Sequence, residues 1–263
     1  MHLTRFKIQN IAISATNIPH VLSVIEQAVT NNKHGYICVT NARTTYLANH
    51  NTEYCHIQNN SLLTVPDGAP LVWIAHNKGF KQVGRVAGKD LMDALFAVSA
   101  EKGYSHYFFG STPYTIARLT SNLQKKYPGI EIKDAVSPPF QHLEEFDIDR
   151  LAKELNQLQP TFFWCGLGAP KQERLNALLQ PKLNSTICVG VGLAFEYIAG
   201  TTKRAPKWMQ KTGMEWLFRL IQQPKKINRA IVPLLWIFIQ LIISLVNHEQ
   251  KKLNKEIPWE SNK

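Results

Sequence analysis

The sequence predicts an α/β fold: a Rossmann-like, mainly parallel sheet with helices on both faces, followed by a helical C-terminal appendage. Three observations lead there. Apolar runs rich in β-branched and aromatic residues alternate with helix-patterned segments through residues 1–202, as crossover-connected parallel strands require. Several of those runs end in turns of small residues that lead into helical patterns. Residues 203–263 then change character, first basic and then continuously apolar. The core is therefore assigned to residues 1–202 and the appendage to residues 203–263. At 263 residues and 44% apolar content the chain can bury a sizeable core.

FKIQNIAIS, at the N-terminal end, reads as one or two short strands. IPHVLSVIEQAV follows as a helix, with Asn17 as its N-cap and Pro19 in its first turn. YICVT is a strand and ARTTYLANHN is helical. SLLTV is a strand that stops at Pro66-Asp67-Gly68. DLMDALFAVSAEKG is a helix, which Gly103 ends by taking the left-handed cap conformation. SHYFFG is a strand, TIARLTSNLQKKYPG a helix and IEIKDAV a strand. Asp147 to Leu158 is helical. TFFWCG is a strand, KQERLNALL a helix, and TICVGVG the last strand.

The four cysteines, Cys38, Cys55, Cys165 and Cys188, have neither CxxC nor metal-ligand spacing. A reducing, cytosolic setting without a structural disulfide is expected. MHLTRFKIQNIAIS lacks the apolar block and cleavage site of a secretory signal. The net charge of +11 is uneven. Residues 203–263 hold twelve Lys/Arg against four Glu, a net +8, so the preceding residues carry only +3. An anionic partner surface is expected at the tail.

In an open α/β sheet, ligands bind at the carboxyl ends of the strands. Asn41 follows YICVT, and Asp67 follows SLLTV. Gly110-Ser111-Thr112 follows YFF, Gly166-Leu167-Gly168-Ala169-Pro170 follows FFWC, and Gly190-Val191-Gly192 follows ICV, with Glu196 beyond. Turns of this kind expose backbone N–H groups that suit a phosphate. In the GLGAP turn, Gly166 and Gly168 allow close approach, Pro170 fixes the first helical turn, and Lys171 and Gln172 can face a ligand. Many strand-to-helix turns carry two glycines without binding anything, and Pro-Asp-Gly is ordinary turn chemistry. The motif is neither GxGxxG nor a Walker lysine pattern. Asp147-Ile148-Asp149 has the form of a metal-binding DxD, but its place in HLEEFDIDR favours capping and solvation. Arg85, in GRVAGKDL, is either a surface residue or a bidentate phosphate contact.

PDGAPLVW, RVAGKDL, GLGAPKQE and GVGLAFEYIAGTTKRAPKWMQKTGMEWLFRLIQQPKK together resemble the WecG/TagA/CpsF family of bacterial glycosyltransferases, in order from about residue 6 to residue 229. The resemblance implies inverting transfer of an N-acetylmannosamine-type sugar from a UDP donor. The implied acceptor is undecaprenyl-diphosphate-linked N-acetylglucosamine at the cytoplasmic membrane face, for teichoic acid linkage, common antigen or capsule synthesis. It implies metal-independent catalysis with no cofactor. It also implies a Rossmann-like core with a membrane-binding appendage. Residue by residue, Asp67 matches the proposed catalytic base, Asn41 an asparagine near the acceptor sugar, and Arg85 an arginine that meets the leaving diphosphate or the acceptor phosphate. The family often has a threonine two residues before that asparagine. Here that position is Val39, and Thr40 stands adjacent as the substrate-binding candidate. Gln172 and Glu196 match the nucleotide-sugar pocket, where the family commonly has Asp in place of Glu196. Gly110, Gly166, Gly168, Gly192 and Lys171 complete the donor side. Arg204, Arg219 and Arg229 fall in the basic appendage as a membrane and acceptor clamp.

Residues 230–246, AIVPLLWIFIQLIISLV, are broken only by Gln240 and Ser244. With Arg229, Pro233 and His248 these form one narrow polar line. Seventeen residues give about 25 Å of helix, short of the roughly 20 residues of a spanning helix. An interfacial or shallowly inserted helix is expected, ahead of an oligomer contact and a full span. A nucleic-acid partner would use the same basic tail but has no use for the apolar helix behind it. A nicotinamide enzyme would show the dinucleotide fingerprint in its first strand–helix unit, and this chain does not. An inactive scaffold of polysaccharide assembly is the non-enzymatic alternative; Asp67, Arg85 and Gln172 weigh against it.

Overall fold

The computed structural model describes residues 4–222 and 227–256. In chain order come the hairpin β1 (Arg5–Ile8) and β2 (Ile11–Ser14), α1 (Ile18–Thr30), β3 (Gly35–Thr40), α2 (Ala42–His50), α3 (Thr52–Asn59), β4 (Leu63–Pro66) and α4 (Ala69–Asn77). Next are α5 (Gly88–Lys102), β5 (Ser105–Gly110), α6 (Pro113–Lys126), β6 (Glu131–Val136), α7 (Ile148–Leu158), β7 (Phe162–Gly166), α8 (Lys171–Leu179), β8 (Ile187–Gly190) and α9 (Ala194–Ala199). The appendage contributes α10 (Lys207–Lys211), α11 (Glu215–Gln222) and α12 (Ile227–Glu256).

Strands β3 to β8 form one parallel sheet in the order β4-β3-β8-β7-β5-β6. Both faces are covered because alternate residues of each strand are apolar on opposite sides. Ile37, Val39, Phe108, Phe162, Trp164 and Val189 pack on the side of α1, α5, α6 and α9. Tyr36, Cys38, Tyr107, Phe163, Cys165 and Cys188 pack on the side of α7 and α8. The four cysteines are free and buried. A third cluster joins Phe6 and Ile13 of the hairpin to Tyr54, Leu71 and Ile74 and reaches Ile237 of α12.

Local signals hold at the helix ends. Asn17 caps α1 by accepting from the His20 N–H at 3.1 Å, and Gly103 ends α5 with φ +65°. Asp147 caps α7 through the Arg150 N–H at 2.9 Å, and Asp149 pairs with Lys182 at 2.7 Å, so the DxD takes the capping and solvated roles. Four helices carry no clear signature in the sequence. Asn51 splits the expected ARTTYLANHN helix from α3, serving as C-cap to one and N-cap to the other. α4, APLVWIAHN, has no polar stripe because the hairpin cluster and α12 cover it. α9 and α10 have six and five residues, too short for a period to show.

α12 is seated with its polarity reversed. Pro233 and Ser244 are buried and Gln240 and His248 half-buried, so the polar line expected from the sequence faces the protein. Asn77 Nδ2 of α4 donates to Ser244 Oγ at 3.0 Å, and Trp236 packs edge-on to Tyr46 of α2. Ile231, Leu235, Ile239, Ile242 and Val246 point outward, each about half exposed. The apolar span Ala230–His248 has mean hydropathy 2.2 and is only 17% buried. The side chain of Arg229 lies outside the described residues.

Candidate active site

Because all six core strands run in the same direction, their carboxyl ends meet along one edge. Thr40-Asn41, Asp67, Gly110, the Gly166 turn and the Gly190 turn are gathered there. The glycine turns are closely fitted. Gly110 has φ +132°, and a Cβ there would stand 2.7 Å from the Gly166 carbonyl carbon. A Cβ on Gly166 would strike the Phe195 ring at 2.5 Å. Gly168, at φ +82°, has open space before it, and Gly192 is at φ +50°. Pro170 stands at the cap position before α8, one residue earlier than the first helical turn expected of it.

Two residues expected to touch substrate work from behind the surface. Thr40 is fully buried; its Oγ1 donates to Gln58 Oε1 at 2.6 Å, and its carbonyl accepts the Asp67 N–H at 2.6 Å. Gln172 is also buried. Its Oε1 accepts the Gly168 N–H at 3.1 Å, and its Nε2 donates to Glu173 Oε1 at 2.8 Å and fills the space over Gly190. Their side chains thus support the turns from within the core. Lys171 is turned aside: it donates to the Gln141 carbonyl and lies 5.5 Å from the centres of the Phe140 and Phe146 rings. Asn41 caps α2, its Oδ1 accepting from Arg43 N and Thr44 N at 3.0 and 3.3 Å. Glu196 accepts from Ser111 Oγ at 2.9 Å, and its other oxygen is buried beside that turn without a hydrogen-bond partner among the described residues.

The charged part of the site surrounds Asp67. Asp67 as a residue is half-buried, and its carboxylate receives no hydrogen bond among the described residues. Burial pushes this carboxyl up to about 6, with Glu215 adding to the rise and Arg219, Arg85 and Arg204 opposing it. Arg85 and Arg204 come from different parts of the chain and share two acidic partners. Arg85 pairs with Glu215 at 2.8 Å and Asp90 at 3.3 Å. Arg204 Nη2 donates to Asp90 at 2.9 Å, and its Nε lies 3.5 Å from Glu215. Arg219, one turn beyond Glu215, reaches it at 3.4 Å and packs over Tyr197. Burial alone would raise Asp90, but the hydrogen bonds from Arg204 and the charge of Arg85 hold it below its ordinary value.

Glu215 and Asp90 are the residues that sequence reasoning passed over. Glu215 is buried and latches the appendage to the core. A single acid among the apolar and basic residues of TGMEWLFRL was the available signal. A cleft of about 430 Å³ lies between α4 and α10 and is lined by Trp73, Arg85, Gln210, Lys207 and Lys211. Gly213, at φ +77°, closes the two helices together, since a Cβ there would meet Ala69 at 2.5 Å.

With β-strand ends, glycine turns and a charged basin in place, comparison with known proteins becomes specific. The family model described as "Glycosyl transferase WecG/TagA/CpsF family" matches residues 6–251. The match runs through most of α12, further than residue 229, where the sequence resemblance was expected to stop. The chain is 25% identical over 225 residues to the N-acetylglucosaminyldiphosphoundecaprenol N-acetyl-beta-D-mannosaminyltransferase of Bacillus subtilis (strain 168), covering 85% of this chain and 86% of that protein. It is 28% identical over 194 residues to the protein of the same name from Staphylococcus aureus (strain MW2), covering 74% of each.

Proposed function

The chain belongs to the WecG/TagA/CpsF glycosyltransferase family, and from that premise we propose that it transfers an N-acetylmannosamine-type sugar from a UDP donor to undecaprenyl-diphosphate-linked N-acetylglucosamine. The names of the relatives supply the acceptor and the sugar. The observation that carries the mechanism is Asp67: a carboxylate raised to about 6, with no hydrogen-bond partner among the described residues, at the same sheet edge as the glycine turns and within the field of Arg219, Arg85 and Arg204. Near neutral pH such a group is mostly ionised yet basic enough to accept a proton in the transition state. Asp67 takes the proton of the acceptor hydroxyl as its oxygen attacks the anomeric carbon. UDP departs from the opposite face, inverting the configuration.

The donor lies across the turns after β5, β7 and β8, where the glycines allow close approach and the Ser111–Glu196 pair faces it. The departing diphosphate is answered by Arg85, Arg204 and Arg219, so the step proceeds without a metal ion. Asn41 orients the acceptor sugar through its remaining amide N–H groups. The chain works at the inner face of the cell membrane. Because α12 is packed along α4 and α2 from Pro233 to Ser244, it meets the bilayer lengthwise, with its outward isoleucines and leucines in the headgroup boundary.

A donor screen with a synthetic polyprenyl-diphosphate-N-acetylglucosamine acceptor tests the reading. UDP release is expected with UDP-N-acetylmannosamine or its uronic acid and only in the presence of acceptor. Release with neither sugar rejects the donor class, and release without acceptor rejects the transfer.

A further inference from the structure

Three of the arginines around Asp67 are already engaged with Glu215 and Asp90. Across the cleft beside them, Lys207 and Lys211 make no ion pair among the described residues, and both are exposed one helical turn apart on α10. Trp73 forms the facing wall and is 40% exposed. The position of the cleft matters as much as its lining. The glycine turns follow β5, β7 and β8 in the middle of the sheet, whereas the cleft is lined by α4, the helix that follows the edge strand β4. Asp67 lies two residues ahead of that helix. Val72 lines the cleft and also packs in the cluster that holds Ile237 and Trp236 of α12. Val72 thus joins the cleft to the apolar cluster beneath the inner face of that helix.

Resting on the proposed transfer reaction, we propose that this cleft is the acceptor subsite: Lys207 and Lys211 hold the acceptor's diphosphate, and Trp73 packs against its sugar. A diphosphate diester carries one negative charge on each phosphate, which two uncompensated ammonium groups match. Arg85 lines the cleft as well, but its charge and those of Arg204 and Arg219 are shared with two carboxylates, so the two lysines supply the uncompensated charge. An aromatic wall opposite the cations suits a pyranose face.

The test uses the full chain and a water-soluble, short-chain prenyl-diphosphate-N-acetylglucosamine, assayed without a bilayer. In the double variant K207Q/K211Q the acceptor KM is expected to rise about 10- to 100-fold, as for loss of two charge-assisted contacts, with the donor KM unchanged. K207R/K211R is expected to restore most of the loss, and W73A to raise the acceptor KM where W73F does not. An unchanged acceptor KM overturns the proposal, as does an equal rise in the donor KM, which would assign the lysines to UDP. Loss of binding to anionic vesicles with the soluble-acceptor KM unchanged overturns it as well, because the lysines then serve bulk headgroups. Should the wild-type chain release no UDP from any donor, the transfer reading fails separately. Calorimetric binding of the same soluble acceptor to wild type and K207Q/K211Q then decides the subsite: weaker binding by the variant upholds it, and equal binding rejects it.

Discussion

Asp67 illustrates how a single side chain can be tuned by what surrounds it. Its folded pKa lies above the ordinary carboxylate value, so the folded state holds the proton more tightly than the unfolded chain does. That preference favours folding at acidic pH and is lost as pH rises through about 6. Asp67→Asn is therefore expected to lose about 10²–10⁴ in transfer rate. It is expected to melt with wild type at pH 4 and above it at pH 8. Activity at several pH values and thermal unfolding of the same samples check both halves; near-normal turnover would remove Asp67 from the mechanism. Glu215 bears on the same group, because its charge raises the Asp67 pKa. In Glu215→Gln the acidic limb of the kcat/KM profile is expected to move to lower pH, a shift that a purely structural role would not produce. Asp67 stands out in the sequence as an acid after an apolar strand. Glu215 does not, because its partners Arg85 and Arg204 are 130 and 11 residues away along the chain.

At the scale of elements, α12 shows that hydropathy and placement are separate matters. The polar line through Pro233, Gln240, Ser244 and His248 is visible in the sequence, and its spacing defines one face. Which way that face points depends on α4 offering Asn77 to Ser244 and α2 offering Tyr46 to Trp236. Leu235→Gln, Ile239→Gln and Ile242→Gln combined lie wholly on the outward face. The triple variant is expected to keep the wild-type urea midpoint while losing flotation with anionic vesicles. Ile237→Ala, at a fully buried position, is expected to cost about 2–4 kcal/mol and keep flotation. Equal flotation of the triple variant and wild type would reject the interfacial role. The glycine turns follow the same logic. Their composition shows in the sequence, but that Gly110 and Gly166 must be glycine for each other's sake follows from β5 and β7 being neighbours.

For the whole molecule, one of the three apolar clusters ties the appendage to the core. Ile237 shares a cluster with Phe6 and Ile74, and Glu215 bridges Arg85 and Arg204. A chain ending at residue 229 is therefore expected to unfold at a lower urea concentration than the full chain, because the hairpin cluster loses its cover; an unchanged midpoint would make the appendage an independent piece. The family resemblance carried by PDGAPLVW marked Asp67, and by itself the local pattern of the sequence determined the α/β class, the strands and most of the helices, the basic and apolar tail, and the glycine turns. Those follow from periodicity, capping residues and composition, all of which act over a few neighbouring positions. Tertiary structure alone decided that Thr40 and Gln172 support the turns from inside, that Glu215 and Asp90 hold the arginines, that a cleft opens between Trp73 and Lys207, and that α12 turns its apolar side outward. Each of these depends on groups far apart in the chain meeting at one sheet edge, and Coulomb attraction, burial and packing act through space, which the order of residues does not record.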